Sequence, residues 1–193
     1  MRHYIVYIPG LGDGYDPLRR ALLACWRIFG VTVEHVPMKW DDGKSYDEKY
    51  KRVTSVIQNA QALGFTVSII GESAGASIGM NVFAASKDIH RFVSLCGVNN
   101  PKTSISSHIF ARSPAFKESV SQLAHSRAKA IRSRIDRITV VTARRDSTVP
   151  VEQNTIPGAR TVKIWSMGHG VTIMLCLSLL SFVIVREVRR RIA

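Results

Sequence analysis

What most constrains this chain is a rhythm. Short apolar runs rich in β-branched residues alternate with stretches of helical period from one end to the other. Strand-like runs fall at 4–8, 31–36, 65–70, 91–95, 137–142 and 160–165. After the first, Asp16-Pro17 opens a helix that carries Leu18, Ala21, Leu22, Cys25, Trp26 and Phe29 at helical spacing, with Gly30 behind it. A second helix over 47–63 places Tyr50, Val53, Ile57, Ala60 and Leu63 on one face. Strands that alternate with helices are joined by right-handed crossovers, so the sheet is expected to be mainly parallel and covered on both faces. This predicts an α/β protein, a three-layer αβα sandwich around a sheet of about six strands, in a single domain over 1–193. In such sheets ligands bind beyond the carboxyl ends of the strands.

The third strand-like run leads straight into Gly71-Glu72-Ser73-Ala74-Gly75, and a helix over about 74–86 follows. This is a G-x-S-x-G pattern in the setting its chemistry requires. The backbone turns sharply from strand to helix, the serine sits in a strained conformation, and bulky neighbours would clash. A serine hydroxyl is a poor nucleophile until a base takes its proton. His169, in the Gly-rich loop after the last strand, is the best-placed base. His3, His35 and His90 sit in or beside strands, and His108 and His125 lie in the long connection after the fourth strand. The base in turn needs an acid to hold one tautomer. Asp146, in Arg145-Asp146-Ser147-Thr148-Val149-Pro150 just past the fifth strand, fills that role. The chain order Ser, Asp, His, each at a strand end, is the order this architecture uses.

On these motifs the chain resembles a minimal member of the α/β-hydrolase superfamily, from Tyr4 to the last helix. It starts at the strand before the oxyanion loop, without the family's two leading antiparallel strands. The resemblance implies a Ser73–His169–Asp146 triad that transfers an acyl group to water, as in a carboxylesterase. Thioesters and peptides stay open as substrates. The loop Pro9-Gly10-Leu11-Gly12-Asp13-Gly14 stands where the family often has His-Gly. Backbone N–H groups hold the oxyanion there, so Pro9 is tolerable. By position the Leu11 and Ala74 N–H groups form the oxyanion hole, with Gly10 and Gly12 beside the substrate. The family's lid position, a short insertion at about 99–134, is reduced to a crossover helix and a short segment, 101–116, where His108 and Phe110, with Ile109 and Phe116, are candidates to line an acyl pocket. The second half of that insertion is helical, with Val120, Leu123, Ala124, Ala128, Ile131 and Ile135 on one face. Glu72 is expected beside the elbow, salt-bridged or solvated.

The chain has 27 Lys and Arg against 14 Asp and Glu, a formal net charge of +13. Such a surface attracts anionic membranes or partners. Lys117, Arg127, Lys129, Arg132, Arg134 and Arg137 are expected to give the helix before the fifth strand a basic outer face. Nucleic acid is not the expected partner. No G-x-G-x-x-G, no Gly-Lys-Ser/Thr and no metal-ligand spacing occurs, so no cofactor and no metal is expected. Cys25, Cys96 and Cys176 form no C-x-x-C pair and read as buried small hydrophobes in a cytoplasmic, reducing setting. The apolar run 171–185 is shorter than the roughly 20 residues a membrane span needs. It reads as one last helix buried on the sheet, with Arg186, Arg189, Arg190 and Arg191 favouring its C-terminal dipole; peripheral membrane association is the other reading of the same run. A second function fits these residues too: a catalytically inactive binding protein on a hydrolase scaffold, held at an anionic membrane or partner.

Overall fold

In a computed structural model, which describes residues 2–102 and 105–192, the alternation becomes one six-stranded sheet. The elements run β1 His3–Ile8, α1 Asp16–Ala24, β2 Val31–His35, α2 Tyr46–Ala62, β3 Thr66–Glu72, α3 Gly75–Ala85 and β4 Phe92–Leu95. There follow α4 Ser107–Arg112, α5 Pro114–Ser121, α6 Leu123–Arg134, β5 Ile138–Arg145, α7 Val151–Asn154, β6 Arg160–Met167, α8 His169–Leu177 and α9 Ser181–Arg189. The strand order is β2-β1-β3-β4-β5-β6, and every pairing is parallel. The register pairs Ile8 with Gly71, Glu72 with Leu95 and Leu95 with Val141. The loops that follow β1, β3 and β5 therefore leave the sheet at a common edge, and that edge holds the site.

Period-two alternation splits each strand between two apolar layers. Val6, Ile8, Val67 and Ile69 pack with Val53 and Ile57 of α2 and with Ile78 and Phe83 of α3. Ile5, Tyr7, Ile70 and Val93 face the other way, onto Leu23, Trp26, Ile173, Cys176, Ile184 and Val188. Helix α2 starts with a full capping box, in which the Glu48 N–H donates to Ser45 Oγ and the Ser45 N–H to the Glu48 carboxylate.

Tertiary packing corrects several expectations. The apolar run 171–185 is not one helix. It breaks after Leu177, and α8 and α9 meet at a 74° bend. Ser178 leaves helical geometry and its hydroxyl donates to Met174 O, while the Leu177 carbonyl that the break frees accepts the Trp26 Nε1–H at 2.9 Å. The break lets α9 fold back along the sheet and bury Ile184, Val185 and Val188. No single helix among the described residues is long and apolar enough to cross a membrane.

Helix α1 is rotated from its expected face. Leu18, Ala21 and Cys25 are exposed, Cys25 against the expectation of a buried thiol, while Asp16, Arg19 and Leu23 point inward; Trp26 is buried, and Leu22 and Phe29 pack against the core, as expected. Cys96 and Cys176 are buried as expected. In the connection 99–134, helix restarts at Leu123, so Leu123 and Ala130 face the core and Ala124 and Ala128 face out. The expected pocket segment 101–116 includes residues 103 and 104, and the expected face included Ile131; these two residues and the Ile131 side chain lie outside the described residues. Arg134 leaves the basic surface. It is buried, stacks on Phe83, and donates to the Phe83 and Ser86 carbonyls at the end of α3, where a cation complements the helix dipole.

His3 ties β1 to β3, with its Nε2 3.0 Å from Ser68 Oγ and its ring edge-on to His90. Burial first, and then the neighbouring His90 and Arg189 charges, push its pKa from 6.5 down to about 4. The folded state favours the neutral ring. Its contribution is thus fully present above pH 6.5 and is lost as the pH falls toward 4, where the buried ring must take up a proton. A shift of this size corresponds to about 3 kcal/mol. Denaturant unfolding at pH 7 and pH 4 should show His3→Gln losing much of the acid-induced destabilisation of the parent chain. An unchanged difference between the two pH values would count against this account.

Candidate active site

The site is built on the turn from β3 into α3. Ser73 has φ +49°, in the left-handed region that non-glycine residues avoid. Tertiary hydrogen bonds hold it there. Its N–H donates to Leu95 O at 2.9 Å, and its carbonyl accepts from Ala76 N and Val98 N at 3.1 and 3.0 Å. The flanking glycines are required by close approach. A Cβ on Gly75 would lie 2.3 Å from Ile8 O, and one on Gly71 would lie 2.6 Å from Ala76 Cα.

Ser73, His169 and Asp146 lie 23 to 96 residues apart in the chain, and the structure brings them into one hydrogen-bonded line. His169 Nε2 lies 2.9 Å from Ser73 Oγ, and His169 Nδ1 lies 2.7 Å from Asp146 Oδ2. His169 sits at the first position of α8, after Gly168 at φ +123°. The Asp146 carboxylate is fully buried. Its other oxygen accepts the Thr148 and Val149 N–H groups, each at 2.9 Å. Burial raises its pKa, but the hydrogen bond from His169, the Val149 N–H, the His169 charge and the Thr148 N–H together outweigh burial and hold it below the usual carboxylate value. An ionised Asp146 accepts the Nδ1–H of His169. The Nε2 lone pair then faces the Ser73 hydroxyl and can accept its proton.

The loop after β1 closes over this line. A Cβ on Gly10 would lie 2.6 Å from Ser73 Cβ, so only glycine lets the loop pass. Pro9 O accepts the Trp40 Nε1–H at 3.1 Å, and Gly12, at φ +90°, turns the chain into the 3-10 turn Asp13–Tyr15. Ala74 is buried at the start of α3. Among the described residues, neither the Leu11 nor the Ala74 N–H is committed to another acceptor.

A cavity of about 410 Å³ opens at Ser73 and His169, walled by Leu11, Tyr15, Leu18, Ile173 and Met174. Gly10, Gly12, His108 and Phe110, the residues expected beside the substrate, are not among its walls. His108 lines a neighbouring cavity of about 450 Å³ with Gly12, Asp13, Trp40, Asp41 and Arg112. Phe110 packs its ring against Phe116. The reason is a tertiary contact: Asp41 accepts from Arg112 Nη2 at 2.7 Å and from Ser113 Oγ at 2.6 Å, which pins α4 beside Trp40 rather than over Ser73.

Beneath the elbow, Glu72 forms the salt bridge that was one of its two expected states, with a partner, Arg19, that the sequence expectations did not name. Glu72 is buried and accepts two hydrogen bonds from Arg19 and one from the Tyr7 hydroxyl. The one legible sign of it was a charged pair at i, i+3, Asp16 and Arg19, at the start of an apolar helix. Among the described residues, one trio could approach a metal ion: ligand atoms of Cys96, Asp146 and His169 lie within 4.8 Å of one another. Two of those atoms already face each other in the Asp146–His169 hydrogen bond, and burial, then the Asp146 charge, push the Cys96 thiol pKa far up, away from a ligating thiolate.

No protein-family model and no curated protein sequence matches the chain. Solved structures do. Est1E from Butyrivibrio proteoclasticus is 12% identical with a TM-score of 0.66, covering 98% of this chain and 89% of its own. Carboxyl esterase 2 from the mycorrhizal fungus Tuber melanosporum is 14% identical with a TM-score of 0.69, over 98% and 79%. The pyrethroid hydrolase PytH is 14% identical with a TM-score of 0.67, over 98% of both chains. At such identities the likeness is one of fold, and that fold is the α/β-hydrolase fold.

Proposed function

We propose that this chain, built on the α/β-hydrolase fold, is a serine hydrolase that cleaves carboxylic esters with apolar acyl groups. The observation that carries this reading is the line Asp146–His169–Ser73, with both spacings at hydrogen-bond distance. The Ser73 Oγ attacks the acyl carbon as its proton passes to His169 Nε2. The carbonyl oxygen becomes an oxyanion that the Leu11 and Ala74 N–H groups receive. His169 then returns the proton to the departing alkoxide, which leaves an acyl ester on Ser73. Water repeats the sequence and frees the acid and the serine. Asp146 holds His169 in the tautomer that both halves need.

The apolar walls Leu11, Leu18, Ile173 and Met174 support an apolar acyl chain. Each buried methylene contributes about 0.8 kcal/mol, so kcat/KM for p-nitrophenyl esters should rise about threefold to fourfold per added methylene until the cavity is full. A flat or falling series from acetate onward would sink the acyl-pocket assignment. The primary test is labelling with a fluorophosphonate, with mass mapping of the modified peptide. Labelling at Ser73 that disappears in His169→Ala supports the hydrolase. A folded chain that resists labelling would turn the reading toward the non-catalytic scaffold.

A further inference from the structure

We propose that the buried Arg19–Glu72 pair is a positioning device that locks the oxyanion loop to the nucleophile turn; the proposal rests on the hydrolase reading above. Both side chains are almost wholly enclosed, Arg19 at 3% and Glu72 at 1% exposure. A guanidinium has five N–H donors in a rigid plane, and here each has an acceptor. Nε donates to Glu72 Oε2 at 2.9 Å and Nη2 to Glu72 Oε1 at 2.6 Å, a two-pronged contact. Nη1 donates to Asp16 Oδ1 at 3.0 Å and to Gly12 O at 2.9 Å, and Nη2 also reaches Leu11 O at 3.4 Å.

The acceptors fall into two groups with different jobs. Glu72 immediately precedes Ser73. The Leu11 and Gly12 carbonyls belong to the loop whose Leu11 N–H would receive the oxyanion. One planar group thus fixes the two halves of the oxyanion site against each other, while Asp16 and the Tyr7 hydroxyl set the position of the pair, and His35 Nε2 sits 3.2 Å from Asp16. Loop carbonyls held from below restrict rotation of the Leu11 peptides, and preorganised donors are what oxyanion stabilisation needs. Burying an ion pair is also an inefficient way to stabilise a fold, since apolar residues of similar size often do as well or better. That contrast separates a positioning role from a purely structural one.

The test compares the parent chain with Arg19→Met/Glu72→Leu, which removes both charges together and so leaves neither buried alone, and with Arg19→Lys, whose single ammonium cannot span the same acceptors. Thermal unfolding establishes that each variant is folded. The expected result is a kcat lowered about 10- to 100-fold with KM for a p-nitrophenyl ester nearly unchanged. Inhibition by an alkylboronic acid, which forms a tetrahedral anion on the serine, should weaken by the same factor. A folded variant of either kind that keeps the parent kcat and boronate affinity would overturn the proposal. A parent chain that neither turns over esters nor labels at Ser73 would instead refute the hydrolase reading on which it rests.

Discussion

Ser73→Ala is expected to lower kcat by roughly five to six orders of magnitude, with the chain still folded. In the proposed mechanism the hydroxyl forms the acyl bond, and without it His169 Nε2, 2.9 Å away, has no proton to accept. The residual rate should then come from binding and from the Leu11 and Ala74 donors alone. His169→Ala should cost about as much, and the double variant little more than either single one, because the residues act as a unit. Burst kinetics with a p-nitrophenyl ester report the acyl-enzyme directly. Substantial turnover in Ser73→Ala would remove Ser73 from the mechanism. The same position offers an independent check on strain. Ser73 holds φ +49°, a conformation that glycine adopts freely. Ser73→Gly should therefore abolish activity while raising stability by up to about 1 kcal/mol. A loss of stability in that variant would mean that the neighbouring hydrogen bonds, not the backbone, set the energy of this turn.

The second large effect is expected at Asp146. Asp146→Asn should lower kcat by about four orders of magnitude although the side chain keeps its shape. The reason lies in which atoms donate. One Asp146 oxygen accepts the Thr148 and Val149 N–H groups, and an asparagine would keep its carbonyl oxygen there. Its NH2 group would then face His169 Nδ1 and donate to it. That fixes the proton on Nε2, which points at Ser73 Oγ and can no longer accept from it. The same substitution removes a carboxylate whose pKa is depressed in the folded chain. Such a group contributes stability above its ordinary pKa and loses it as the pH falls through the depressed value. Asp146→Asn should therefore be somewhat less stable than the parent at pH 7, and the difference should shrink in strong acid. An Asn variant with near-parental kcat would show that Asp146 does not set the tautomer.

The features legible in the sequence are those that local chemistry imposes at short range. Strands are read from β-branched runs because both faces of a parallel strand are covered, and the helix at 47–63 from its 3.6-residue stripe. The elbow is read from Gly71 and Gly75 because no side chain fits within 2.6 Å of a neighbouring backbone atom. The juxtaposition of Ser73, Asp146 and His169 could be anticipated from their positions after strands, since parallel pairing places those ends at one edge.

Tertiary structure decided what depends on partners distant in the chain. Arg19 lies inward rather than outward because Glu72, 53 residues away, offers a buried carboxylate, and the whole of α1 turns with it. Arg134 leaves the surface because the end of α3 presents the Phe83 and Ser86 carbonyls. The run 171–185 has no proline or glycine to mark a break, yet it bends by 74° because Trp26 takes the Leu177 carbonyl and the sheet offers α9 an apolar face. His108 and Phe110 lie away from Ser73 because Asp41 holds their helix elsewhere. The sequence by itself determined the layers, the turn that carries Ser73 and the edge at which the site forms, because these follow from backbone sterics and from the period of apolar residues. Only the tertiary structure decided which charges are buried, where the last helix breaks and which side chains wall the cavity, because each of these depends on which distant group supplies the matching donor, acceptor or apolar surface.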